Sequence, residues 1–487
     1  MRQTSRLLAA WISLLGLWSC GDAPPPAENA SAAAAPAANI IYIMADDLGY
    51  GDIGVYGQTA IQTPNIDRLA EEGLMFTDHY AGTSVCAPSR CVLMTGIDMG
   101  QTAIRGNRQW EPHGQMPLPD SSITVAEALK AQGYVTGMIG KWGLGITGTE
   151  GDANRQGWDY FYGYTDQVLA HNYWPEYLVR NGEKIPLDNE VKYLDSTAWH
   201  GGYGSYSTVK NTYSNDVFTE EALQFIDQYQ DSTFLLYLPY TIPHNNGEAP
   251  QGRKQEVPDY GRFEAEDWDT EYKGYAAMIE RLDEYVGQIT HLIDSLGLGG
   301  RTLIIFTSDN GPMQETTGFT RFFDSNGPLR GGKRDVTEGG LRVPFIARWP
   351  GVIAPGTTTA FPSAFHDFLP TACEIAGTPP PAGITGQSFL PTLKGEAQPP
   401  PSYLYFAFYE QGKKQAIRQG KWKALRNGVF EQPDTPWELY NLEEDPGEAN
   451  NIAKAHPEVV ERLANLAAEA HHTDPNWPLF KTEVVEE

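Results

Sequence analysis

Cysteine is scarce in this chain: 4 occur among 487 residues, at Cys20, Cys86, Cys91 and Cys373. That is too few for a disulfide scaffold. Basic residues are also short, with 35 Lys and Arg against 62 Asp and Glu, a formal net charge of -27. This balance excludes nucleic acid as a partner, because phosphate binding needs a basic face. It also repels anions at long range, so an anionic substrate needs local basic residues in a cleft. Beyond residue 20 no run is long and apolar enough to span a bilayer. What is present is ordinary for a folded protein, with 41% hydrophobic and 20% charged residues. The length allows one large core and a second, smaller one.

The first residues read as a targeting signal. Arg2 and Arg6 flank the start of a short apolar stretch over residues 7–18, the length of a signal-peptide core. Leu17-Trp18-Ser19-Cys20 resembles a bacterial lipobox with Cys20 as the lipidated residue, although Trp18 departs from the usual small or aliphatic side chain. The implied localisation is exported, either periplasmic or as an outer-membrane lipoprotein. Membrane contact is then made only through that N-terminal anchor. Residues 21–38 are rich in Ala and Pro and read as a tether.

From Asn39 the chain alternates strand and helix signals. Strands are expected over residues 39–45, 134–140, 234–238 and 302–307, and helices over 125–132, 219–229 and 272–296. This is an α/β pattern: a large mixed, mostly parallel sheet sandwiched by helices over residues 39–398. Past Pro399-Pro400-Pro401 short strand signals cluster over 403–408, 415–418 and 421–426, and a helix signal follows over 458–470. Residues 399–487 therefore read as a smaller α+β domain built on an antiparallel sheet. Cys91 and Cys373 read as small buried apolar residues.

In open α/β sheets, sites gather at the carboxyl ends of the strands. Four such ends carry conspicuous polar residues: Asp46-Asp47, Lys141, His244 and Asp309-Asn310. Paired carboxylates at a buried strand end repel unless a proton or a cation sits between them. Carboxylates plus an amide oxygen suit a hard cation such as calcium or magnesium. Taken alone, each pair also fits a helix cap or a turn. Cys86-Ala87-Pro88-Ser89-Arg90 reads as a loop turning into a helix, where backbone amides favour an anion.

Cys-x-Pro-Ser-Arg resembles the signature by which formylglycine-generating systems recognise type I sulfatases of the alkaline phosphatase superfamily. Asp46-Asp47-Leu48-Gly49-Tyr50-Gly51-Asp52 and Ser308-Asp309-Asn310-Gly311 are similar to that family's metal motifs. Gly331-Gly332-Lys333, residues 338–344 and residues 438–446 resemble further blocks, in the family's order. The resemblance implies that Cys86 is oxidised to formylglycine, whose hydrate attacks sulfur and then expels sulfate. It implies calcium, or magnesium, held by Asp46, Asp47, residue 86, Asp309 and Asn310. Arg90 would hold the diol, Lys141 and Lys333 would clamp the sulfate, and His244 would protonate the leaving sugar oxygen.

The family usually carries His two residues after that Lys, and here the position is Gly143. His171, then His200, are the candidates to replace it, with water or the metal-bound Asp as the alternative. A formylglycine-generating maturation enzyme is an implied partner, and a sulfated carbohydrate the implied substrate. Arg105 and Trp110, with His113 and Arg155 behind them, are candidates for its rim. Trp158, Tyr160, Tyr162, Tyr173, Trp174 and Trp199 could stack on sugars or fill a core. A phosphate or phosphonate ester hydrolase of the same superfamily, and an inactive glycan-binding surface lipoprotein, are the rival readings.

Overall fold

Asn39–Asp46 (β1) is buried at every position, as an apolar run with no polar alternation requires of a strand covered on both faces. The computed structural model describes residues 38–107, 115–194, 204–314 and 318–484. The targeting segment with Cys20 and the candidates Trp110, His113, Trp199 and His200 lie outside the described residues.

The other principal strands are Val135–Lys141 (β2), Tyr160–Tyr164 (β3), Phe234–Pro243 (β4), Thr302–Ser308 (β5) and Phe345–Arg348 (β6). They belong to a ten-stranded sheet in which β6, β5, β1, β4, β2 and β3 lie side by side in that order. The five strands from β5 to β3 are mutually parallel. The flanking pairs, β5 with β6 and β3 with Tyr177–Arg180, are antiparallel. All five parallel strands therefore deliver their carboxyl ends to one edge.

Side chains of β1 alternate between two cores. Ile40, Tyr42 and Met44 pack on one face with Val92 and Leu93 of the Cys86–Thr95 helix and with Leu369. Ile41, Ile43 and Ala45 pack on the other, against Ile279, Leu282 and Val286 of the Thr270–Ser295 helix. This period-2 partition is what places helices on both sides. Cys91 and Cys373 sit in the first core as free thiols, as expected.

The C-terminal strands Leu404–Phe408 (β7), Lys414–Gln419 (β8), Trp422–Asn427 (β9) and Glu438–Asn441 (β10) form an antiparallel four-stranded sheet. Their one-after-another pairing matches the short connections between them. Among the described residues no helix is long and apolar enough to cross a membrane.

Two local findings differ from the sequence reading. β4 runs on to Pro243, so it delivers His244 directly at the site edge. β3 is a strand where only an aromatic-rich stretch was expected, and its end leads to Asp166-Gln167.

Candidate active site

β1 ends in Asp46, and the chain turns at Asp47 with φ +65, a conformation Asp tolerates better than most non-glycine residues. The turn is held because Asp47 N donates to Asp309 Oδ1 at 3.1 Å. Two consecutive carboxylates thereby reach the same space. Asp309 and Asn310 follow the adjacent β5, and Asn310 Nδ2 donates to Asp47 Oδ1 at 2.7 Å.

The Cys86–Thr95 helix begins at Cys86, after Val85 in extended backbone. Pro88 is tolerated because the first turn of a helix has no use for its missing N–H. Ser89 Oγ donates to the Asp309 carbonyl at 2.6 Å, pinning this end of the helix to β5. Cys86 is 3% exposed. Its Sγ lies 3.5 Å from Asp46 Oδ1 and 3.5 Å from Lys333 Nζ.

Three cations meet three carboxylates here. Lys141 Nζ reaches Asp46 Oδ2 at 2.6 Å, and Lys333 Nζ reaches Asp47 Oδ1 at 2.7 Å. The Arg90 guanidinium donates to Asp309 Oδ2 at 2.8 Å and to the Lys141 carbonyl at 2.7 Å. Burial opposes ionisation of Asp46, but Lys141 above all, then His244, Arg90 and Lys333, hold it well below the usual carboxylate range. Asp309 is pushed up to about 7 by burial and by the nearby Asp46 charge. Burial also pushes the Cys86 thiol up to about 12, against the pull of Lys141 and Lys333. The unmodified thiol is therefore a poor nucleophile near neutral pH.

His244 Nδ1 lies 2.7 Å from the Asn245 carbonyl, which can only accept, so Nδ1 carries a hydrogen. Nε2 is left facing Asp47 Oδ2 at 3.5 Å. Burial, then Lys333, keep the imidazole well below its usual proton affinity. His171 stacks on His244 with ring centroids 4.6 Å apart. Its Nδ1 meets Glu248 Oε2 at 2.9 Å.

Asp46, Asp47, Cys86 and His244 bring ligand atoms within 4.8 Å of one another. Asn310 Oδ1 is buried without a hydrogen-bond partner beside them. Above this cluster is a cavity of about 360 Å³, lined by Cys86, His171, His244 and Lys333 among others. Every predicted catalytic and metal-binding residue thus converges on one place. Gly143, singled out in the sequence as a departure from the family, lines the same cavity, as do Gln167, Glu248 and Lys254, which were missed. Gln167 had one available signal, its place just after a strand end.

Some candidates sit elsewhere. Arg105 is not part of the cavity wall; its guanidinium donates to the Thr102 and His472 carbonyls and to Tyr409 Oη, a strut within the fold. Arg155 pairs with Asp120 at the surface, both about half exposed. Trp158 stacks on Tyr237, and Tyr162, Tyr173 and Trp174 are buried in the cores, so these aromatics serve packing. Tyr160 donates to Glu221, away from the cavity.

Residues 38–378 match the family Sulfatase, and residues 331–472 match N-sulphoglucosamine sulphohydrolase, C-terminal. The chain is 35% identical to arylsulfatase A of Homo sapiens, over 88% of this chain and 86% of that protein. It is 30% identical to N-acetylgalactosamine-6-O-sulfatase of Bacteroides thetaiotaomicron, over 96% and 99% respectively. The fold is similar to the crystal structure of Ps i-CgsB in complex with k-i-k-neocarrahexaose, with a TM-score of 0.74 and 26% identity. That likeness covers 92% of this chain and 96% of that one.

Proposed function

The chain belongs to the sulfatase family, and from that premise we propose that it hydrolyses sulfate esters of a carbohydrate outside the cytoplasm, with residue 86 as a formylglycine nucleophile. The observation that carries this reading is the position of Cys86. It lies at the cavity floor, 3.5 Å from both a carboxylate and an ammonium group, where an attacking atom needs charge on both sides. A hydrated aldehyde at this position supplies a hydroxyl nucleophile that the thiol cannot.

The donor set fits a hard divalent cation. Asp46, Asp47, Asp309 and Asn310 offer only oxygen, and Asn310 Oδ1 has no other partner. Calcium is the ion proposed, with magnesium the alternative. When bound, such an ion supplies positive charge that eases ionisation of a hydroxyl and neutralises sulfuryl oxygens. The three buried cations and three carboxylates otherwise balance, so a divalent ion makes this the electropositive point of an acidic protein.

The chain's own residues account for the rest. Lys333, which lines the cavity, and Lys141, beneath it on Asp46, would face the sulfate oxygens and stabilise the charge that grows in the transition state. Arg90 fixes Asp309 and the Lys141 backbone, which holds the clamp in register. His244 presents Nε2 for the leaving sugar oxygen, and an anionic ester beside it raises its affinity for the needed proton.

The names of the bacterial relative and of the complexed oligosaccharide support a sulfated sugar as substrate. The buried state of residue 86 supports conversion by a formylglycine-generating enzyme before folding. Export through the N-terminal signal fits both. The test is to produce the chain in a host able to mature sulfatases and weigh the peptide containing residue 86. A mass matching aldehyde in place of thiol, together with sulfate release from sulfated sugars, is expected. An unmodified Cys86 in protein that still releases sulfate would remove formylglycine from the mechanism.

A further inference from the structure

We propose that Gln167 is a hydrogen-bond donor to a sulfuryl oxygen of the bound ester, acting from the space that the side-chain-free Gly143 leaves open. This rests on the sulfate-ester reading above and adds a residue to that site.

Gly143 lies two positions beyond Lys141 at the end of β2, with φ +75. A Cβ at this position would lie 2.3 Å from Gln167 Nε2, 2.7 Å from its Cδ and 3.1 Å from its Cγ. The amide of Gln167 therefore occupies the volume that a side chain at 143 would fill. The left-handed backbone favours glycine there, and any side chain at 143 would have to displace the Gln167 amide.

Gln167 Nε2 is buried and has no hydrogen-bond partner among the described residues. A buried donor left unpaired carries a desolvation penalty unless a ligand satisfies it. The open space beside it is the cavity that Cys86, His244 and Lys333 also line. The Nε2 group can serve an oxygen of the bound ester but cannot coordinate a cation.

The support beneath Gln167 is rigid. Its backbone N donates to Gln115 Oε1 at 3.2 Å, and Gln115 Nε2 donates to the Thr165 carbonyl at 2.8 Å. The neighbouring Asp166 Oδ1 accepts from Val168 N at 2.8 Å and Leu169 N at 3.0 Å. The backbone that carries the donor is thus fixed before substrate arrives, which limits the reorganisation needed to stabilise charge. A neutral amide cannot take up a proton, so its contribution is one of binding and charge stabilisation.

The experiment compares mature wild type with Gln167→Met and Gln167→Glu. It measures kcat and KM on a sulfated sugar, and the affinity for inorganic sulfate by calorimetry. Gln167→Met keeps the shape and loses the donor. It is expected to weaken sulfate binding and lower kcat/KM on the order of 10- to 100-fold at an unchanged melting temperature. Gln167→Glu is nearly isosteric, accepts only and adds negative charge, so it should lose more. Wild-type sulfate affinity in Gln167→Met, or wild-type turnover in Gln167→Glu, would overturn the assignment. Should Gln167→Met fail to fold, Gln167→Glu decides alone. A wild type that releases no sulfate from any ester would sink the hydrolase reading, and the sulfate titrations would still judge Gln167.

Discussion

The imidazole rings of His171 and His244 stack with centroids 4.6 Å apart and planes 18° from parallel. A charge on His171 at that spacing adds to burial and Lys333 in holding His244 below its usual proton affinity. Glu248, 2.9 Å from His171 Nδ1, orients that ring from behind. Burial alone would push Glu248 up, but the charge and hydrogen bond of His171 hold it below its usual range. His171 thus supports His244, while the space at Gly143 is taken by Gln167.

Replacing the two histidines should have unequal effects. His244→Ala removes the proposed acid and is expected to cost about 10²–10⁴ in kcat. His171→Ala removes only support and leaves Glu248 unpaired, so about a tenfold loss is expected. Glu248→Gln should reproduce the smaller effect. Steady-state kinetics check this, and equal losses at both histidines would mean that His171 itself meets the ester.

Cys86→Ala should abolish turnover and leave the fold intact. The side chain is small, and the helix that carries it is held by Ser89 and by packing of Val92 and Leu93. Circular dichroism and thermal unfolding like wild type, with loss of activity to the uncatalysed level, are the expected outcome.

Chelation should lower both activity and melting temperature, and calcium should restore them. Binding that is confined to the folded state stabilises by about 2.7 kcal/mol at a hundredfold excess over Kd. Asn310→Ala removes an oxygen donor and should weaken the calcium response. Calorimetric titration of chelator-treated protein measures it. A melting temperature indifferent to calcium in wild type would contradict the proposed site.

Lys423 ties the C-terminal sheet to the Glu338–Leu341 helix. Its ammonium is fully buried, 2.8 Å from Glu338 Oε1 and 3.0 Å from Glu448 Oε1. Lys423→Met removes the ammonium between those two carboxylates and leaves Arg342, 3.3 Å from Glu338, and Arg330, 3.9 Å from Glu448, to offset part of their charge, so the cost is about 3 kcal/mol. Denaturant unfolding should show the loss, and Glu448→Gln added to it should recover part.

Asp52 makes stability fall with pH. Burial pushes its carboxyl from 3.8 up to about 7, against hydrogen bonds from Tyr275, Ser325 and Gly49 N, and with Asp324 adding to the rise. The folded state therefore holds the proton more tightly than the unfolded chain. This stability is fully present below the unfolded value and is lost as pH rises through about 7. Asp52→Asn imitates the protonated form. Its melting temperature relative to wild type should be higher at pH 8.5 than at pH 5.5, by thermal denaturation at both. An equal difference at the two values would exclude Asp52 as the source.

The sequence by itself determined the elements and the chemistry they carry. Apolar runs such as Asn39-Ile40-Ile41-Tyr42-Ile43 suit a strand covered on both faces, and the polar residues that end such runs then fall at the carboxyl edge of the sheet. That local logic reached Asp46, Asp47, Lys141, His244, Asp309 and Asn310, and the motif around Cys86 reached Arg90. Tertiary structure alone decided the rest. β4 lies between β1 and β2 although it follows both in the chain, so neighbours at the edge are far apart in sequence. Arg105 became a strut and the aromatics became core because the space around them was filled from distant segments. Gln167 came to stand over Gly143 for the same reason. Neither residue carries a local signal of the other, because only the parallel pairing of β2 with β3 brings their loops together.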